Sequence, residues 1–160
     1  MNLPRLRKSR GTGIVEFALV LPMMLLLFMV IIEFGRYGFV QHTLQFATRE
    51  GVRLALVGRT LTGPGGTPLS RQASIVKRIQ DCASVAVTPG SLAISIYPIN
   101  PDYSDPGGWQ GTQDPGLPGN YMRVRTQYDL RFITPVIGSF ISGGHVMVQA
   151  QATYRNELFN

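Results

Sequence analysis

Cysteine, histidine and charge are all scarce in these 160 residues. A single cysteine, Cys82, excludes an internal disulfide framework and a multi-cysteine metal site. The two histidines, His42 and His145, stand far apart in the chain. No H-E-x-x-H, G-x-S-x-G or phosphate-binding glycine loop is present. Asp102, Asp105 and Asp114 lack the ligand spacing of an EF-hand loop. These absences argue against an enzyme, and neither a catalytic residue, a cofactor nor a bound metal is expected. Charged residues make up 15% of the chain, against about 25% in an ordinary soluble protein.

The charge that is present is unevenly placed. The formal net charge is +6 and the sequence pI about 10.0, values that first suggest nucleic acid. Yet Arg5, Arg7, Lys8 and Arg10 crowd into the first ten residues. Beyond them, eleven bases face nine acids. A nearly neutral body with a cationic tip has no continuous basic patch, so no nucleic-acid partner is expected.

A long apolar run follows that tip. Phe17 to Ile32 is free of charged and polar side chains, and from Gly13 to Ile32 the only charge is Glu16. About 20 apolar residues in a helix cross a bilayer. A cleavable secretory signal would have a shorter core and small residues at its end. Here the run ends in Ile31-Ile32-Glu33-Phe34-Gly35-Arg36, so a retained helix over residues 12–33 is expected. The positive-inside rule makes Arg5, Arg7, Lys8 and Arg10 the topology signal, with residues 1–10 cytoplasmic and the rest of the chain outside. Glu16 is costly within such a run, by about 2.5–3.5 kcal/mol at a helix centre. It is either a functional carboxylate or one hydrated at the cytoplasmic interface. Pro22 removes one helix hydrogen bond and predicts a kink, either passive or a hinge or locally melted turn used on extraction from the bilayer.

Three stretches carry a family resemblance. Arg10-Gly11-Thr12-Gly13-Ile14-Val15-Glu16-Phe17-Ala18-Leu19-Val20-Leu21-Pro22 resembles the N-terminus of TadE-like minor pseudopilins, components of the Tad (tight adherence, Flp) pilus assembly system. Glu33-Phe34-Gly35-Arg36 and Ala47-Thr48-Arg49-Glu50-Gly51-Val52-Arg53-Leu54-Ala55 resemble two further stretches of that family. The likeness is weaker in the strand ending Tyr154-Arg155-Asn156-Glu157. It implies cleavage by a prepilin peptidase after Gly11. Thr12 then becomes the first residue, Glu16 the fifth and Phe17 the sixth. Glycine suits a narrow protease cleft because it has no Cβ. The new Thr12 amine would have an ordinary pKa of roughly 7.7–8.0, and Glu16 of one subunit would pair with the Thr12 amine of a neighbour.

Downstream, Tyr37, Val40, Leu44, Ala47, Gly51, Leu54 and Ala55 recur at three- and four-residue spacing. The helix therefore continues outside the membrane over residues 34–57. Arg49 and Arg53 share a face, read as solvated, and Gly51 marks a place for close backbone approach. Residues 58–70 read as a linker. Ile75, Val76, Ile79, Cys82, Ala83 and Ala86 trace a second helix over 71–86, which places Cys82 either as a buried hydrophobe or as an intermolecular disulfide partner. Leu92-Ile94-Ile96, Met122-Val124-Thr126-Tyr128-Leu130-Phe132 and Val146-Val148-Ala150-Ala152-Tyr154 alternate with more polar neighbours. These are three antiparallel strands with one wet face. Arg123, Arg125 and Arg131 fall on the wet side, read either as a solvated stripe or as a surface for an acidic partner. The long loop at 98–120, with five prolines and five glycines, carries Trp109 and Tyr103. Trp109 either anchors a partner or folds back on the sheet.

The expected architecture is α+β and pilin-like. A long N-terminal helix, its first half in the membrane, and a short second helix pack on a small three-stranded antiparallel sheet, with residues 71–160 forming the extracytoplasmic domain and residues 1–11 a leader. The resemblance implies a single-pass inner-membrane protein with a periplasmic domain, in contact with lipid, the peptidase, other pilins or minor pseudopilins and the inner-membrane assembly platform. Such a protein serves adhesion, either in the membrane or incorporated in the pilus. The competing expectation is an uncleaved signal-anchored envelope protein that binds another envelope component through the 98–120 loop of its extracytoplasmic domain.

Overall fold

The computed structural model describes residues 12–158. Arg5, Arg7, Lys8, Arg10 and Gly11 lie outside the described residues. Helix α1 runs from Thr12 to Leu56 without interruption, about 68 Å at 1.5 Å per residue. Its two halves have different reasons to be helical. The first is apolar all round, and a helix satisfies its backbone internally where there is no water. The second is amphipathic: Val40, Leu44, Ala47, Gly51 and Ala55 are buried along one stripe.

Helix α2 spans Arg71–Ala83. Ser70 caps it, its hydroxyl accepting from the Ala73 amide at 3.1 Å. Ile75, Ile79 and Ala83 face the core. The helix ends earlier than the periodicity to residue 86 predicts. The Ala83 carbonyl accepts from the amides of both Ala86 and Val87, and the Ser84 hydroxyl donates to the Asp81 carbonyl. This closing turn still buries Val87 and packs Ala86 on the core, which is why the apolar spacing outlasts the helix.

Strands β1 (Leu92–Pro98), β2 (Tyr121–Arg131) and β3 (His145–Arg155) form an antiparallel sheet in the order β1-β2-β3. Short helix α3 (Pro135–Phe140) lies in the connection between β2 and β3. The register aligns Ile94, Thr126 and Ala150 in one row and Ile96, Val124 and Ala152 in the next. The face carrying these residues packs with α1 and α2 into one core. The expected α+β arrangement of long helix, short helix and three-stranded sheet is the observed one. Strand β1 departs from simple alternation: Ser95 and Tyr97, assigned to the wet face, are buried. The loop after β1 folds back over them. It pairs with the free edge of the strand through Ile96 N to Thr112 O and Asp114 N to Ile96 O. An open edge is thereby covered.

Candidate functional site

Two features dominate the functional surface: the apolar half of α1 and the joint where it meets the domain. From Ile14 to Ile32 the helix is exposed except for half-buried Leu21. Nineteen residues at 1.5 Å give about 29 Å, the thickness of a bilayer core. Such a band far exceeds the few hundred Å² of apolar patch that a soluble monomer shows. Glu16 and Phe17 lie at its N-terminal end and point outward, Phe17 at 62% exposure. Glu16 makes no hydrogen bond or ion pair to another described residue. Pro22 lies inside continuous helix, so α1 is not melted there. Its missing N–H leaves the Ala18 carbonyl without the usual i+4 donor.

Glu33 closes the apolar band at the other end, and it is 4% exposed. Its Oε1 accepts from the backbone amides of Ile133 at 2.6 Å and Thr134 at 2.7 Å. Its Oε2 accepts from Arg36 at 3.3 Å, and Arg36 donates onward to the Arg131 carbonyl at 2.8 Å. Hydrogen bonds to a charged group are worth roughly 1.5–3 kcal/mol each. The Glu33–Arg36 pair thus clamps α1 to the end of β2. The sequence showed these residues as the end of an apolar run and as one stretch of the family resemblance, but not their clamp, because the partners are about a hundred positions away. The remaining signal was an acid and a base three residues apart at a span boundary.

Further along α1, Glu50 and Gly51 have a packing role. A Cβ at Gly51 would fall 2.7 Å from Ile79 Cδ1 and closer still to its Cγ1, so only glycine lets α2 come this near. Glu50 receives Arg78 of α2 at 2.6 Å, and this hydrogen bond holds its carboxyl below the ordinary range. Arg49 and Arg53 are exposed, as a solvated face requires. Thr48 donates to the Leu44 carbonyl at 2.7 Å, which leaves Thr126 of β2 to donate to Thr48 across 2.9 Å. Arg71 at the start of α2 donates to the carbonyls of Ala55 and Gly116 and to the Asn156 side chain. It gathers the end of α1, the long loop and the C-terminal tail, a role that spacing alone did not reveal.

Of the stripe expected on β2, Arg131 is exposed, but Arg123 and Arg125 are not solvated. Arg123 and Arg125 both pair with Asp105 of the loop, with side chains 13% and 15% exposed. Arg125 also lies over the Trp109 ring, 4.3 Å from its centroid, and the ring stacks on Tyr97 at 5.3 Å. Trp109 therefore folds back on the sheet rather than standing free. Tyr97 is pushed up to about 12, by burial first and then by its hydrogen bond to Asp105. Burial alone would raise Asp105. Hydrogen bonds from Tyr97 and Arg123 and the nearby Arg125 charge outweigh it and hold the carboxyl below its ordinary value. Asp102 and Asp114 make local turn contacts, to Ser104 and to the Gly116 amide. Cys82 is half-buried against the core as a free thiol, and burial pushes it above its ordinary pKa.

One family model matches the chain, over residues 11–53, and its description is TadE-like protein. No curated protein and no solved structure matches. The matched segment holds Glu16, Glu33 with Arg36, and Glu50 with Gly51, the residues that open the apolar band, clamp it and seat α2. By this match the chain is TadE-like along its long helix, as far as Arg53.

Proposed function

We propose that the protein is a minor pseudopilin of a Tad-type pilus, acting in its assembly or initiation and so in adhesion. The observation that carries this is the exposed, uncharged half-helix that opens with Glu16 and closes on the buried Glu33 clamp. On this reading residues 12–33 span the inner membrane and residues 34–57 continue the helix into the periplasm. Residues 58–70 link it to the periplasmic domain at 71–160. Residues 1–11 are a cytoplasmic leader, oriented by Arg5, Arg7, Lys8 and Arg10 and removed by a prepilin peptidase between Gly11 and Thr12. The chain is a substrate and a structural partner rather than a catalyst. Glu16 supports this role because its carboxylate has no partner among the described residues. In the bilayer it requires one, and the Thr12 amine of a neighbouring pseudopilin supplies the opposite charge. Removing one member of a buried pair costs about 3–5 kcal/mol, enough to set the register of subunits against one another and against the assembly platform.

The test is the intact mass of the membrane-extracted protein after co-expression with the peptidase. A chain beginning at Thr12 supports the reading. A chain that keeps residues 1–11 overturns the cleavage and favours an uncleaved anchor. Glu16→Ala is expected to insert and be cleaved but to lose assembly. Normal assembly by that variant would refute the pairing.

A further inference from the structure

We propose that residues 132–144, the connection between β2 and β3, form a second membrane contact. This segment would lie on the outer leaflet of the bilayer that α1 crosses and insert its apolar side chains at headgroup and upper acyl depth. The inference rests on the membrane reading of α1.

The segment reads Phe-Ile-Thr-Pro-Val-Ile-Gly-Ser-Phe-Ile-Ser-Gly-Gly and holds no charge, between Arg131 and His145. Water-soluble connections of this length are usually polar, because an exposed loop gains nothing from apolar side chains. Here Ile133, Val136, Phe140 and Ile141 are exposed, Phe140 at 85%. The short helix α3 and its flanks thus turn large side chains outward instead of into the core.

Position identifies what covers them. The Ile133 and Thr134 amides are bonded to Glu33, so the segment is fixed at the level where the apolar band of α1 ends. One turn below, Val30 shares with Ile137, Ile141 and Phe132 the lining of an apolar cleft of about 440 Å³ between α1 and the segment. Exposed Phe34 of α1 also lines it. The apolar surface of the helix therefore continues onto the domain without a polar break. Any occupant of the patch has to reach it at the bilayer surface. Arg36, paired with Glu33, bonds the Arg131 carbonyl at the same level, and the exposed Arg131 there supplies a cation that suits phosphate headgroups. A protein partner would need polar groups to fix its register, and the segment itself carries no charge for that.

The experiment uses the full chain in liposomes, in a Trp109→Phe background that removes the sole tryptophan. Phe140→Trp and, separately, Val136→Trp place a probe on the segment, and Leu26→Trp places one on α1. Both segment positions are exposed, so folding is little disturbed. Lipids brominated near the top of the acyl chain are expected to quench the segment probes several-fold more than deeply brominated lipids. The probe at position 26 is expected to show the reverse. If position 26 is quenched by lipid while the segment probes are quenched by aqueous iodide alone, the inference fails and the membrane helix stands. Segment probes shielded from both lipid and iodide would overturn it in favour of a protein neighbour. If position 26 itself escapes lipid quenching, the membrane reading falls and the inference with it.

Discussion

Asp105 shows how much one side chain decides. It holds Arg123 and Arg125 of β2 and accepts from Tyr97, so it pins the 98–120 loop to the outer face of the sheet. Its folded pKa lies below the ordinary 3.8, so unfolding takes up protons at low pH. The stability it contributes is complete above pH 3.8 and declines as pH falls through the lowered folded value. Trp109 stacks on Arg125 and is the sole tryptophan, so its emission reports the loop directly. That emission is expected to stay constant from pH 7 to about 4 and to shift only below the ordinary carboxylate range. Asp105→Asn should abolish this acid transition. It should also destabilise the protein at neutral pH by about 1–3 kcal/mol, because two mostly buried guanidinium groups lose their counter-charge. A wild-type transition centred above pH 5 would show that another group controls the loop.

At the scale of elements, the contact between α1 and α2 depends on the missing side chain at Gly51. Gly51→Ala gains helix propensity of roughly 1 kcal/mol but pushes a methyl into Ile79. Overpacking of that kind costs about 1–3 kcal/mol, so a net loss in denaturation midpoint is expected. Ile79→Ala alone should cost about 2–5 kcal/mol through the cavity it leaves. The double variant should lose less than the sum, because the new methyl occupies part of that cavity. Additive losses would refute the direct contact. The elements themselves were largely legible in the sequence, because local periodicity encodes them: Val40, Leu44, Ala47, Gly51 and Ala55 for α1, Met122, Val124 and Thr126 for β2. What local periodicity does not carry is contact across distance. Ser95 and Tyr97 read as wet because the loop that covers them comes later in the chain. Arg123 and Arg125 read as solvated because Asp105 is some twenty residues away. The end of α2 was overrun because Ala86 and Val87 keep facing the core after the helix has closed. At the candidate site, Glu16 and Gly51 stood out by their own chemistry, whereas the clamping role of Glu33 became visible only beside Ile133 and Thr134.

For the whole molecule, the question is whether the long helix and the domain move as one body. The C-terminal half of α1 is part of the core, so the domain cannot swing about residue 57. The remaining freedom is at the membrane boundary, where the Glu33 clamp joins α1 to the end of β2. Without it, the segment at 132–144 would be held only by β2, β3 and its apolar cleft with α1. Glu33→Ala leaves the Ile133 and Thr134 amides without an acceptor and Arg36 without its acid. Hydrogen exchange of the full chain in liposomes is expected to rise at residues 133 and 134 by at least tenfold. Tenfold corresponds to about 1.4 kcal/mol of lost protection, the order expected for hydrogen bonds to a charged acceptor. Amides 122–130 should stay protected, because the ladder between β2 and its neighbours does not depend on Glu33. Glu33→Gln keeps the shape and one carbonyl acceptor and should fall between the two. If exchange at 133 and 134 is unchanged in Glu33→Ala, the clamp does not hold the segment. The segment would then be held to α1 by the apolar cleft lined by Val30, Phe34 and Ile137.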